Sequence, residues 1–152
     1  MDVAAEIRTE LETDWLPTIY REKVRSQRTR AYKLDIPKRE NQAEVLYTLL
    51  GIELKVGRRR FACPDLSTAR YLRVFARVGC TQFAIPYDIT QISGVADELE
   101  TSWQRTLLLL DQMDSNADRS KVVKVIRDEI TLIGPGEAMP LFDRETRQRR
   151  AE

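Results

Sequence analysis

The side chains best suited to chemistry in this sequence are arginines, and they are unevenly spread. Nineteen of the 25 basic residues are arginine. Its planar guanidinium forks onto phosphate or carboxylate and stacks on flat rings. Arg70, Arg73 and Arg77 follow Pro64 at three- and four-residue spacing, which places them within an arc of about 60° on a helix. Tyr71, Phe75 and Val78 fall on the opposite face, so the pattern reads as a helix with a core side and an arginine stripe. Lys55, Arg58 and Arg60 come just before it, and Arg21, Lys23, Arg25, Arg28 and Arg30 lie further upstream.

If these pieces pack side by side, Arg25, Arg28, Arg30, Lys55, Arg58, Arg60, Arg70, Arg73 and Arg77 form one basic surface. Such a footprint is what binding to a phosphate backbone requires. Tyr20, Tyr32 and Tyr71 offer flat faces for bases, although Tyr71 reads better as core. No RNA-recognition signature, KH loop or zinc finger accompanies the arginines. An acidic protein partner, or the acidic half of a second copy, would meet the same surface equally well.

Other chemistries are excluded or weakly signalled. The chain has no histidine. That removes Ser-His-Asp and Cys-His catalysis and every His-containing metal site. Cys63 and Cys80 form no Cys-x-x-Cys pair, and two thiols cannot complete a tetrahedral zinc site. They are expected to be reduced core thiols. No glycine-rich phosphate loop is present, and Gly134-Pro135-Gly136 reads as a turn. Glu53-x-Lys55 with Asp65 nearby invites a metal-dependent nuclease reading. Strand alternation instead sends Glu53 and Lys55 to solvent, and Asp65 has a sufficient role as a helix cap. The Asp also follows the Glu-x-Lys, the reverse of the order such nucleases use. No catalytic residue, cofactor or metal is therefore assigned.

The net charge of +1 hides a strong segregation. Residues 21–79 hold fifteen Lys/Arg against six Asp/Glu, whereas residues 80–143 hold five against eleven. Residues 1–20 are acidic and residues 144–152 carry four arginines. Charge layout of this kind speaks to partners and solubility, not to fold. With 42% hydrophobic residues the chain can build a core. The longest apolar run, Leu107 to Leu110, is far too short to span a bilayer. The first residues lack a secretory pattern, so a cytoplasmic location is expected.

The elements that must position these residues read as follows. Ala4, Ile7, Leu11 and Trp15 recur at helical spacing, with Pro17 ending or kinking that helix. Tyr20 to Arg30 resumes it. Ala31 to Ile36 alternates like a strand and stops at Pro37. Asn41 to Leu50 reads as a short helix with Gly51 as its C-terminal cap. Ile52 to Cys63 is a hairpin turning at Gly57-Arg58, with Leu54 opposite Phe61 and Ile52 opposite Cys63 on the buried side. Asp65 or Ser67 caps a helix that runs to Val78 and stops at Gly79. Gln82 to Ile85 is a strand. Asp88 opens the longest helix, with Ile92, Val95, Ala96, Leu99, Trp103, Leu107, Leu110 and Met113 on one stripe. Ser115 with Asp118 starts the last helix, whose β-branched Lys121 to Ile133 segment leaves a terminal strand open. Gly134 to Phe142 reads as a loop.

The expected fold is a single α-rich α+β domain over residues 1–143, with a long central helix and a small antiparallel sheet that includes the 52–63 hairpin. Residues 144–152 form a C-terminal tail. The leading functional expectation is a non-catalytic protein whose basic surface contacts nucleic acid, RNA before DNA. The alternatives are an accessory or assembly protein that docks on an acidic partner, and a His-free metal nuclease. A monomer or a weak, salt-sensitive dimer is expected, with no membrane contact.

Overall fold

A computed structural model describes residues 2–113 and 116–135. Helix α1 spans Val3–Leu11, with Asp2 capping it by accepting from the Ala4 amide at 3.0 Å. Ala4, Ile7 and Leu11 face inward, as their spacing predicts. The helix breaks earlier than expected. Glu12 takes a positive φ of 51°, and a single 3₁₀ turn over Glu12–Asp14 leads to the buried Trp15. Pro17 opens α2 (Leu16–Ile19), where its missing N–H has no helical partner to lose. The turn then widens into a π-type turn, Tyr20–Val24. The expected helix to Arg30 ends there.

Strand β1 (Thr29–Lys33) pairs antiparallel with β5 (Gln82–Pro86). It begins two residues earlier than the alternation suggested. Leu34 and Ile36 are buried beyond the strand's end. Strands β2 (Ala43–Thr48), β3 (Gly51–Val56) and β4 (Arg59–Cys63) form a second antiparallel sheet in that order. The β3–β4 hairpin has the expected register, Leu54 opposite Phe61 and Ile52 opposite Cys63. Gly57 supplies the positive φ of 60° that its turn needs.

Residues 41–50, expected to be helical, instead supply β2. The reason is legible afterwards: Val45, Tyr47 and Thr48 favour the extended chain, and β3 offers a ready edge. Gly51 is no helix cap. It follows the β2–β3 turn, where the Thr48 hydroxyl donates to the Gly51 carbonyl at 2.9 Å and accepts from the Leu50 amide at 3.2 Å. Leu49 and Leu50 stand fully exposed at that turn.

Helix α3 (Leu66–Val78) covers the sheet face that holds Leu54 and Val56. Asp65 caps it through the Thr68 amide at 2.7 Å, and Gly79 ends it at φ 92°. A Cβ at Gly79 would lie 2.2 Å from the Arg39 carbonyl oxygen, so no other residue fits. Helix α4 (Ile89–Gln112) starts at the Asp88 cap, and α5 (Arg119–Ile133) remains helical throughout, with no terminal strand. In the Leu107–Leu110 run, Leu110 is buried, Leu107 and Leu109 are half-buried and Leu108 is exposed. Ser115, the segment from residue 136 and the 144–152 tail lie outside the described residues.

One hydrophobic cluster runs from Ala4 to Ile130 and joins the helices to both sheets. The fold is α+β, with small antiparallel sheets, as expected. At its centre, Ala84 in β5 donates its amide to the Tyr20 hydroxyl at 2.8 Å and accepts from the Tyr71 hydroxyl at 2.5 Å. Burial pushes the Tyr20 phenol up to about 12 and Tyr71 well above its ordinary value. Both therefore stay protonated and keep bonding that backbone. Among the described residues no helix is long and apolar enough to cross a membrane.

Candidate nucleic-acid interface

The arginine stripe of α3 forms as the spacing predicts, but it does not face solvent. Helix α4 lies along it. Arg70 donates to Asp97 and, at 2.9 Å, to Glu100; Arg73 reaches the same Glu100 oxygen at 3.4 Å. The Arg70 and Arg73 side chains are only 23% and 22% exposed, and Glu100 17%. The bonds to Asp97 and Glu100 raise the pKa of Arg70. Arg77 turns toward the sheet and donates to the Ala43 carbonyl at 3.2 Å. Burial lowers its pKa, and the neighbouring Arg73 charge acts in the same direction. These three guanidinium groups hold α3 to α4 and to β2. The expectation that they join the hairpin in one open basic surface is corrected by the acids of α4, which close over them.

Arg28, just before strand β1, and Arg30 within it are held differently. Arg28 and Arg30 are exposed and each lies over a tyrosine ring. The Arg28 guanidinium carbon is 5.3 Å from the Tyr87 ring centre, and that of Arg30 is 5.8 Å from Tyr32. Alternation puts residues 28, 30 and 32 on one face. The Tyr87 amide donates to the Arg28 carbonyl at 3.0 Å, which extends the β1–β5 pairing by one residue and sets Tyr87 beside Arg28. The Tyr32 ring in turn stacks on its cross-strand partner Phe83 at 5.8 Å, and Phe83 stacks on Phe75 of α3 at 4.2 Å. A run of rings thus leads from the core to the exposed Arg30. Burial raises the pKa of Tyr32, and nearby Cys63 adds to the shift.

The hairpin sits next to this strand. Arg59 donates to the Asp35 carbonyl at 2.7 Å and pairs with its carboxylate at 2.8 Å, just past the end of β1. Cys63, at the end of β4, lies near Tyr32, although β4 and β1 belong to separate sheets. Arg58 is exposed at the hairpin turn. Lys55 stands between Glu44 and Arg60 across the sheet's outer face. Among the described residues no carboxylate lies within salt-bridge distance of Arg30, Lys33, Lys55 or Arg58, whereas Arg60 contacts Glu53 at 3.5 Å. Arg25 is set apart: half-buried, it donates to the Gly134 carbonyl at 2.9 Å.

The structure therefore brings Arg28 and Arg30 together and places Lys55, Arg58 and Arg60 on the adjoining hairpin. It withdraws Arg25, Arg70, Arg73 and Arg77. Of the three tyrosines offered as stacking faces, Tyr20 and Tyr71 are wholly buried and Tyr32 is half-buried. Tyr87 was missed. The alternation Phe83, Ile85, Tyr87 carries the signal, but the strand expected from sequence stops at Ile85, whereas β5 runs to Pro86.

The carboxylates of the nuclease reading have other duties here. Glu53 is largely covered, at 19% exposure, beside Arg60, and Asp65 caps α3. No three His, Cys, Asp or Glu side chains cluster to hold a metal ion among the described residues. An open depression between α1 and α4 is rimmed by Asp2, Glu6 and Glu10, a charge that repels phosphate. No protein family, curated protein or solved structure matches the chain.

Proposed function

We propose that this chain is a non-catalytic nucleic-acid-binding protein, RNA before DNA, and that its contact surface is the β1 face with the adjoining β3–β4 hairpin. Arg28, Arg30, Lys55, Arg58 and Arg60 are the residues assigned to it. The observation that carries the reading is the pair of exposed arginines seated on tyrosine rings, in a region where, among the described residues, Arg30, Lys33, Lys55 and Arg58 have no carboxylate within salt-bridge distance. A guanidinium held over a ring is already oriented, so less rotamer entropy is lost when it meets a phosphate or a base. Arg70, Arg73 and Arg77 contribute indirectly, by holding the helix and sheet on which that surface is built.

Fluorescence anisotropy with labelled oligouridylate tests it. Affinity is expected to fall with salt, by about 0.7 log units per log of salt for each phosphate contacted on a single strand. The combined change Arg28→Glu, Arg30→Glu, Arg58→Glu is expected to remove binding while leaving the melting temperature near that of the unaltered protein. Absence of RNA and DNA binding at low salt, with binding to polyglutamate, would replace this reading with docking on an acidic protein partner.

A further inference from the structure

Strand β2 is an open edge of the three-stranded sheet, on the side away from β4. The Gly57 amide donates to the Gln42 carbonyl at 3.3 Å, so residue 42 bonds toward β3. Hydrogen bonding alternates along an antiparallel strand. Glu44, Leu46 and Thr48 therefore bond toward β3, whereas Ala43, Val45 and Tyr47 turn their amides and carbonyls outward. Arg77 takes the outward Ala43 carbonyl at 3.2 Å. Those of Val45 and Tyr47 have no partner among the described residues. Proteins usually guard such an edge with charges, proline or a covering segment. In β2 Glu44 is the single charge and there is no proline.

The arginine side of α3 reaches this edge and is short of counter-charge. Arg70 holds Asp97 and Glu100, and Arg73 reaches Glu100 while its own Nε stays buried with no partner. Arg77, at the edge itself, has no carboxylate within salt-bridge distance among the described residues. We infer that the β2 edge takes up an extended, acidic peptide segment of a partner protein as a fourth strand. The edge supplies main-chain bonds and the arginines select carboxylates. Val45 and Ala43 pair with Leu54 and Val56, so their side chains share the face covered by α3. A partner residue opposite either one points its side chain to that face, where Arg77 and Arg73 stand. A partner residue opposite Tyr47 meets a ring that is 72% exposed, which favours an apolar side chain. Burial and the charge of Arg73 lower the pKa of Arg77, and a carboxylate beside it acts the other way. A nucleic acid has no row of amides and carbonyls to match the edge.

The test is fluorescence anisotropy with a labelled peptide, Thr-Val-Thr-Glu-Thr-Glu-Thr. Laid antiparallel, its valine faces Tyr47 and its glutamates face Val45 and Ala43. The same peptide with both glutamates replaced by lysine is expected to bind at least about tenfold weaker. So is the peptide N-methylated at its valine and first glutamate, which loses the two amides that would donate to the edge. Tyr47→Pro removes an outward amide at an exposed site and spares the ladder to β3. It is expected to weaken binding about tenfold, with the melting temperature little changed. Arg77→Gln keeps a donor for the Ala43 carbonyl and is expected to bring the glutamate and lysine peptides within about threefold of each other. The combined Arg28→Glu, Arg30→Glu, Arg58→Glu protein is expected to keep peptide binding within about twofold at physiological salt, so this inference and the nucleic-acid reading stand or fall separately. Equal binding of the glutamate and lysine peptides would overturn the inference, as would full affinity of the N-methylated peptide or no saturable binding at about 1 mM. A dimer in sedimentation that Tyr47→Pro dissociates would give the edge to a second copy and overturn it as well.

Discussion

Arg73 on α3 and Arg30 on β1 carry the same group into opposite surroundings. Arg73 lies mostly covered between two helices and shares the Glu100 carboxylate with Arg70. Arg30 lies in solvent on a tyrosine, with no carboxylate within reach among the described residues. The first kind of arginine is an element of the fold. Taking a charge that is half out of water and removing its partner leaves it desolvated and unpaired, which is costly. The second kind can be changed at little cost to stability, because water already solvates it. The difference shows that an arginine's spacing on its helix does not fix its role: what packs over it does.

The comparison breaks most visibly under charge reversal. Reading the α3 stripe from sequence alone, the triple change Arg70→Glu, Arg73→Glu, Arg77→Glu should leave the fold intact. With Asp97 and Glu100 packed against those positions, the expectation is now loss of the folded state. The ion pairs become repulsions between half-buried like charges, in a protein whose total stability is on the order of 5–15 kcal/mol. Circular dichroism at neutral pH decides it, and a native melt would mean that α4 does not sit on α3 as described. A gentler version, Glu100→Ala, is expected to cost roughly 2–3 kcal/mol, or a fall in melting temperature on the order of 5–10 °C. The matching change on the other side, Arg30→Ala, is expected to stay within about 0.5 kcal/mol. Equal losses from the two would erase the distinction.

Thiol reactivity sharpens the same contrast between closed and open regions. Burial pushes Cys80 up to about 12, against the lowering charge of Arg127, whereas the half-buried Cys63 is raised less and remains partly accessible. Only the thiolate reacts. Iodoacetamide at pH 8 is therefore expected to label Cys63 slowly and Cys80 only after denaturation. Fast labelling of Cys80 would show that the core around α3 and α5 opens readily. The smallest effect concerns self-association. A monomer, or a weak dimer that loosens with salt, is expected in sedimentation runs. A tight salt-independent dimer that dissociates in Leu49→Ser with Leu50→Ser would mean that the exposed β2–β3 turn is an apolar interface.

Much of the molecule was legible locally. The Asp65 and Asp88 caps, the Gly79 stop and the Gly57 turn each depend on a few consecutive residues. The register of the 52–63 hairpin follows from its turn. So the helix that carries Arg70, Arg73 and Arg77, and the hairpin that carries Lys55, Arg58 and Arg60, are legible as elements with their registers. That α4 covers the arginine side of the helix, and that Glu53 is largely covered, are not. Residues 41–50 were not, because a short apolar segment satisfies helix and strand patterns almost equally. A neighbouring strand then decided between them.

The sequence by itself determined how many charges there are, on which local elements they lie and that those elements bury a common core. Tertiary structure decided which charges stay open. Asp97 and Glu100 stand far along the chain from Arg70, and Tyr87 far from Arg28, so no local pattern announces either meeting. Helix packing brought the first pair together and closed one arginine set. Strand pairing brought the second together and mounted the other set on rings at the surface. Periodicity and caps are short-range consequences of backbone geometry, whereas the partner of a charged side chain is set by the packing of whole elements.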